Sequence, residues 1–217
     1  MIERYLQLLT TDDAGTETAA ATRERLKGHF PPGSTRRMTT LGMLVGRSLA
    51  QLGPTPSDTI VYASAYAESC ALESFLDSFP TPSPTLFQTS IHPSAVQQLM
   101  IGRQEPVLEF NPMSGGRLLA FHALRTAFLA PTARVLLCGG EEKGTWLLSH
   151  GLASDRTFAF AASFHAAPQP GSLARFELTR GTGAAGLDLA SFFGVLHGRT
   201  PWDGGVAQGW NLRIAWL

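Results

Sequence analysis

Phe87 to Glu142 reads FQTSIHPSAVQQLMIGRQEPVLEFNPMSGGRLLAFHALRTAFLAPTARVLLCGGEE. Its periodicities alternate. Pro93 to Met100 fits a short helix with proline in its first turn. Pro106-Val107-Leu108-Glu109-Phe110 reads as a strand. Gly115 to Leu129 reads as a long helix, apolar nearly all round at Leu118, Leu119, Phe121, Ala123, Leu124, Ala127 and Phe128. Such a helix is expected to be buried at the centre of a domain. Ala133 to Cys138 is a continuously apolar run, as in a strand covered on both faces, and Gly139-Gly140 is expected to close it.

The same alternation extends outward. Met38, Leu41, Leu44, Leu49 and Leu52 lie at helical spacing, and Gly53-Pro54 ends that helix. Thr59 to Ala63 is a short β-branched run, and Glu68 to Phe79 reads as a helix. Pro80, Pro82 and Pro84 predict an extended, irregular segment. Downstream, Phe158–Phe164 and Ala174–Leu178 read as adjacent strands, Leu187–Leu196 as a helix and Trp210–Trp216 as a strand. Residues 1–35, rich in Thr, Ala, Gly and Pro from residue 10 on, read as a variable lead-in segment. The expected fold class is α/β, a single domain over 1–217 with a mixed, mostly parallel sheet covered by helices.

Composition narrows the functions. Hydrophobic residues make up 44% and charged residues 16%, enough for a sizeable core. Seventeen basic and seventeen acidic side chains cancel, so the basic surplus usual in a nucleic-acid binder is missing. Cys70 and Cys138 are too few for a disulfide framework and read as core residues in a reducing compartment. The N-terminus lacks signal-peptide character and no apolar run has the length of a membrane span, so the expected location is cytoplasmic. No spacing of His, Cys or carboxylates suggests a metal, and no cofactor motif is found.

The ordered set Ser90-Ile91-His92-Pro93, strand, turn, long helix, strand and Gly139-Gly140-Glu141-Glu142 resembles the core of β-ketoacyl synthases. In that family Ser-Val-His-Asn stands at the first position, so Pro93 is a departure. The resemblance covers about residues 36–180 and implies the N-terminal half of a thiolase-like fold. Counting back from Gly139 without gaps places Met113 at the family's nucleophilic cysteine. There a helix N-terminus lowers the thiol pKa and supplies part of an oxyanion hole. A thioether has no proton to lose and forms no thiolate. The family's two catalytic histidines are also unmatched: Arg180-Gly181-Thr182-Gly183 has no histidine, and His197-Gly198-Arg199-Thr200 matches only in part.

The resemblance therefore implies a non-catalytic subunit of the chain-length-factor type, paired with an active full-length ketosynthase in fatty acid, polyketide or aryl polyene synthesis. It implies contact with acyl carrier protein only indirectly. The strand Val107 to Phe110, including Leu108, would pair across the two-fold axis, and Met113, Leu118 and Leu119 would border the partner's acyl tunnel.

Blander readings stand beside these. Met113 suits an ordinary strand–helix turn, His92 a structural role, and His122 a core or interface role. Glu141-Glu142 suits backbone bonding at the strand end, and Gly181–Gly186 is too loose for a phosphate loop. The competing enzymatic reading is a serine hydrolase with Ser114 as nucleophile in Pro112-Met113-Ser114-Gly115-Gly116, followed by Asp188 and His197.

Overall fold

The computed structural model describes residues 1–104, 106–184 and 186–217, and its sheet begins at the second residue. Ile2–Asp13 form β1, followed by helices α1 (Ala19–Lys27) and α2 (Thr40–Gln51) and by β2 (Thr59–Ala63). Helices α3 (Ser69–Leu76), α4 (Pro84–Thr89) and α5 (Ser94–Arg103) lead to β3 (Glu109–Met113), α6 (Leu119–Leu129) and β4 (Arg134–Glu141). The chain continues through β5 (Phe158–His165), β6 (Ala174–Arg180), α7 (Leu189–His197), β7 (Trp202–Ala207) and β8 (Trp210–Trp216). Ala185, within the glycine-rich 181–186 stretch, lies outside the described residues.

The strands form an eight-stranded sheet in the order β3-β2-β4-β5-β1-β6-β8-β7. The α/β class is as expected, but the sheet is mostly antiparallel. Among the strands of the described residues, only β3-β2 and β2-β4 pair in parallel. The crossover that parallel neighbours need is supplied between β2 and β3 by the α3–α5 segment, and α6 carries the chain from β3 past β2 to β4. β4 and β5 pair antiparallel, and so do β7 and β8 across the tight turn that Gly209 (φ 74°) makes.

The expected lead-in segment instead holds a central strand. β1 pairs antiparallel with β5 on one side and β6 on the other, so these two are not neighbours as the sequence suggested. The 166–173 connection crosses over the middle of β1, where Gln7 Nε2 donates to Pro170 O (3.0 Å) and Leu173 N to Leu6 O (2.7 Å). Arg4 is buried within β1, and its guanidinium donates to the carbonyls of Phe128, Ala130 (2.6 Å) and Thr132 (3.1 Å). These donors satisfy carbonyls that the end of α6 leaves open.

Alternate strand residues serve two cores. Val61, Val135, Leu137, Phe158, Phe160 and Phe164 face α6 and α7, while Ile60, Tyr62, Leu136 and Cys138 face α2 and α5. Gly139 and Gly140 lie inside β4, where the sequence reading had them closing the strand. A Cβ at Gly139 would collide with Ala63 O, and one at Gly140 with Phe158 O. The proline-rich stretch is not all irregular, because Ser83 caps α4 through Leu86 N with Pro84 in the first turn. Helix α6 keeps an exposed stripe at His122, Arg125 and Leu129, so it is buried on most sides but not all round. No helix among the described residues is long and apolar enough to cross a membrane.

Candidate functional site

The carboxyl ends of the parallel strands β2, β3 and β4 converge, the usual place for a site on such a sheet. Glu141, the last residue of β4, organises this end. Its carboxylate is buried and accepts from Ala65 N (2.5 Å), Tyr66 N (3.3 Å) and Ser64 Oγ (3.2 Å), which fixes the chain as it leaves β2. Burial pushes its pKa up to about 7, against the lowering effect of those hydrogen bonds. Glu142 accepts from Leu41 N at the start of α2 (3.0 Å), and burial raises its pKa as well. Both glutamates thus bond backbone, as their place at a strand end suggested.

Two carboxylates that sequence reading missed complete the frame. Glu73 of α3 is buried and accepts from Thr145 N (2.9 Å) and Leu147 N (2.7 Å). Glu68 is buried before α3 and accepts from Ala95 N near the start of α5 (3.1 Å). In sequence, each reads as an ordinary acid on an amphipathic helix.

Two clefts meet at the turn Gly115-Gly116-Arg117. One, about 350 Å³, is lined by Met113, Ser114, Leu118, Leu119 and His122. The other, about 650 Å³, is lined by Tyr66, Arg117, Glu141, Leu152, Asp155 and Asp188. Met113 is half-buried as the last residue of β3, Leu119 is buried, and Leu118 is 42% exposed. The other expected interface residues part from these. The strand starts at Glu109, two residues beyond the expected Val107, because the β2 register pairs Thr59 with Glu109. Val107 and Phe110 pack toward α2 and α5 on the opposite side of the sheet, and Leu108 is exposed.

The turn also corrects the expected helix start. Helix α6 begins at Leu119, not Gly115, with Leu119 N donating to Gly116 O (3.0 Å). Met113 is therefore not at the helix N-terminus, and the first-turn N–H groups lie several residues beyond it.

The serine-hydrolase constellation does not assemble. Asp188 caps α7, accepting from Ser191 N (2.7 Å), whereas His197 ends the same helix with Nδ1 against Thr11 Oγ1 (3.0 Å). Nine residues of helix rise separate them by roughly 13 Å, far beyond hydrogen-bond reach. Ser114 has no hydrogen bond among the described residues. Burial and neighbouring Glu142 and Glu73 push the Cys70 thiol up to about 12, and burial raises that of Cys138, so neither is poised as a thiolate. Among the described residues no three His, Cys, Asp or Glu side chains converge as metal ligands.

The architecture has counterparts among solved structures. A chain in the ketosynthase (ApeO) complex with its chain length factor (ApeC) from Xenorhabdus doucetiae superposes with a TM-score of 0.72. The match covers 99% of this chain and 100% of that one at 17% identity. The chain has the thiolase-like ketosynthase fold. The ishigamide ketosynthase/chain length factor shares this fold with a TM-score of 0.57 at 13% identity, over 83% of this chain and 68% of that one. No family model and no curated protein matches the sequence.

Proposed function

We propose that this chain, a single domain over 1–217, is a non-catalytic ketosynthase-like subunit of the chain-length-factor type. It pairs with an active full-length ketosynthase in fatty acid, polyketide or aryl polyene synthesis. The observation that carries this reading is Met113. A thioether occupies the end of β3 and lines the cleft at the turn, in a fold whose catalytic relatives need a thiolate there. The resemblance across Ser90–His92 and Gly139–Glu142 supports that placement.

The free edge of β3 supports the pairing. Among the described residues β3 is bonded to β2 alone, beside exposed Leu108 and Leu118. An edge of this kind is normally covered or paired. In the complex, β3 meets the ketosynthase's edge strand, and Met113, Leu118 and Leu119 border the partner's acyl tunnel. Acyl carrier protein is met only through that partner. The setting is cytoplasmic, and the chain requires no cofactor.

Co-expression with a ketosynthase from the same genome tests the reading. A one-to-one complex burying more than about 1,000 Å² in total is expected. The chain alone is expected to take no acyl group from an acyl carrier thioester. An acyl adduct on the isolated chain, or a monomer indifferent to the ketosynthase, would overturn the proposal.

A further inference from the structure

The free edge of β3 lacks a donor at one defined place. Met113 O accepts from Ser64 N at 3.1 Å, and the parallel register sets Ala63 opposite Met113 and Tyr62 opposite Pro112. In a parallel ladder, the N–H and C=O of one residue point to the same neighbour, and successive residues alternate. Glu109, Asn111 and Met113 therefore bond β2, while Phe110 and Pro112 turn outward. An outward position is the one a proline tolerates, since it has no N–H to give. Pro112 is exposed there. The edge offers the Phe110 N–H and the carbonyls of Phe110 and Pro112.

Building on the pairing proposed above, we propose that Pro112 makes this edge selective for a chain unlike itself. Two-fold pairing of β3 with a second copy sets outward residues opposite outward residues. Centred on Asn111, it places Phe110 opposite the copy's Pro112 twice, and each encounter makes one bond of two. Centred on Phe110, the two phenylalanines exchange both bonds, but Pro112 then faces the copy's Leu108 twice and withholds a donor each time. Centred on Pro112, two prolines meet with no donor between them. Every self-register loses two donors. An unlike antiparallel strand with an ordinary N–H opposite Pro112 loses one. Each missing donor leaves a carbonyl unpaired in a dry interface, a loss on the order of tenfold in association. The occupant that fits is the edge strand of a different chain, free of proline at the opposing position.

Sedimentation velocity on the full chain without ketosynthase is the test, comparing wild type with Pro112→Ala. The variant is expected to self-associate on the order of a hundredfold more tightly. Hydrogen exchange should show the Phe110 amide becoming protected in that dimer. Pro112→Val repeats the measurement with a better strand former, and circular dichroism checks that both variants fold. Affinity for the ketosynthase should rise on the order of tenfold only. Folded variants that associate no more tightly than wild type, a dimer that leaves the Phe110 amide exposed, or a wild-type chain already dimeric through this edge would each overturn the inference. Gained self-association with no ketosynthase binding by either form would sustain the edge selectivity and remove the proposed function.

Discussion

The imidazole of His92 lies on the ring of Tyr62, with centroids 5.1 Å apart and planes 25° from parallel. Neither ring nitrogen of His92 has a hydrogen-bond partner among the described residues, and both are buried. The side chain works as a flat packing unit, and burial lowers its pKa. A depressed histidine contributes stability that is present above the unfolded pKa, about 6.5, and is lost as pH falls through the folded value. His92→Phe keeps the ring and removes both unpaired nitrogens. Chemical denaturation should find it equal to wild type or about 1 kcal/mol more stable at pH 7.5. The advantage should widen toward pH 5. A variant weaker than wild type at pH 5 would mean that His92 is held by something other than stacking.

Glu68 has the opposite sign. Its Oε2 is buried without a hydrogen-bond partner among the described residues, and the nearby Ser94 hydroxyl donates to Thr89 O at 2.9 Å. Burial raises its pKa to about 7. A raised carboxyl contributes stability that is full below the unfolded pKa, about 4.3, and lost as pH rises through 7. Glu68→Gln lacks that loss and keeps an acceptor for Ala95 N. Between pH 5 and pH 8 its stability relative to wild type should improve by about 2 kcal/mol, as read from melting curves across that range. Glu141, also raised to about 7, leaves part of the slope in place.

Gly139 is held by its neighbours. An added methyl would overlap the Ala63 carbonyl and stand 2.9 Å from the Phe160 ring, both fixed in the middle of the sheet. Gly139→Ala should lose about 3 kcal/mol or more, or fail to fold, as judged by urea denaturation.

Met113→Cys separates position from environment. Helix α6 starts at Leu119, so a thiol at 113 receives little from its dipole. The new cysteine should titrate near an ordinary thiol, about 8.5, when its alkylation rate is followed against pH. Trimming the half-buried side chain should cost about 1–2 kcal/mol. The isolated variant should form no ketoacyl product, since a thiol without its supporting groups does not restore a reaction they perform as a unit. In the assembled pathway, product length should change only where this turn borders the tunnel.

Where local chemistry decided the structure, the sequence was readable. Thr59–Ala63 and Trp210–Trp216 are strands with the bounds their side chains suggest, and α2 follows its apolar spacing. Long-range partners decided the rest. Ile2–Asp13 carries a buried arginine whose reason, the open carbonyls after α6, lies more than a hundred residues away. Asn111 and Pro112 have poor strand propensity and are strand only because β2 sets their register. At the candidate site, the backbone-bonding role of Glu141 and Glu142 was legible from their place at a strand end. Glu68 and Glu73 were not, because their hydrogen-bond partners are backbone amides brought up by folding.

The placement of β1 sets a timetable for synthesis. Ile2 lies opposite Leu178, and Asp13 opposite Phe158. Made well before both of its neighbours, β1 finds neither until synthesis has passed residue 158. Until then, the slot between β5 and β6 does not exist, and the β2–β3–β4 segment emerges with β4 lacking its second neighbour. Long-range pairings of this kind are slow to form and leave strands open to wrong partners meanwhile. A nascent chain stalled before residue 158 holds a strand with nowhere to dock, so its yield should depend on translation speed and chaperone supply more than that of a protein whose strands pair in order of synthesis.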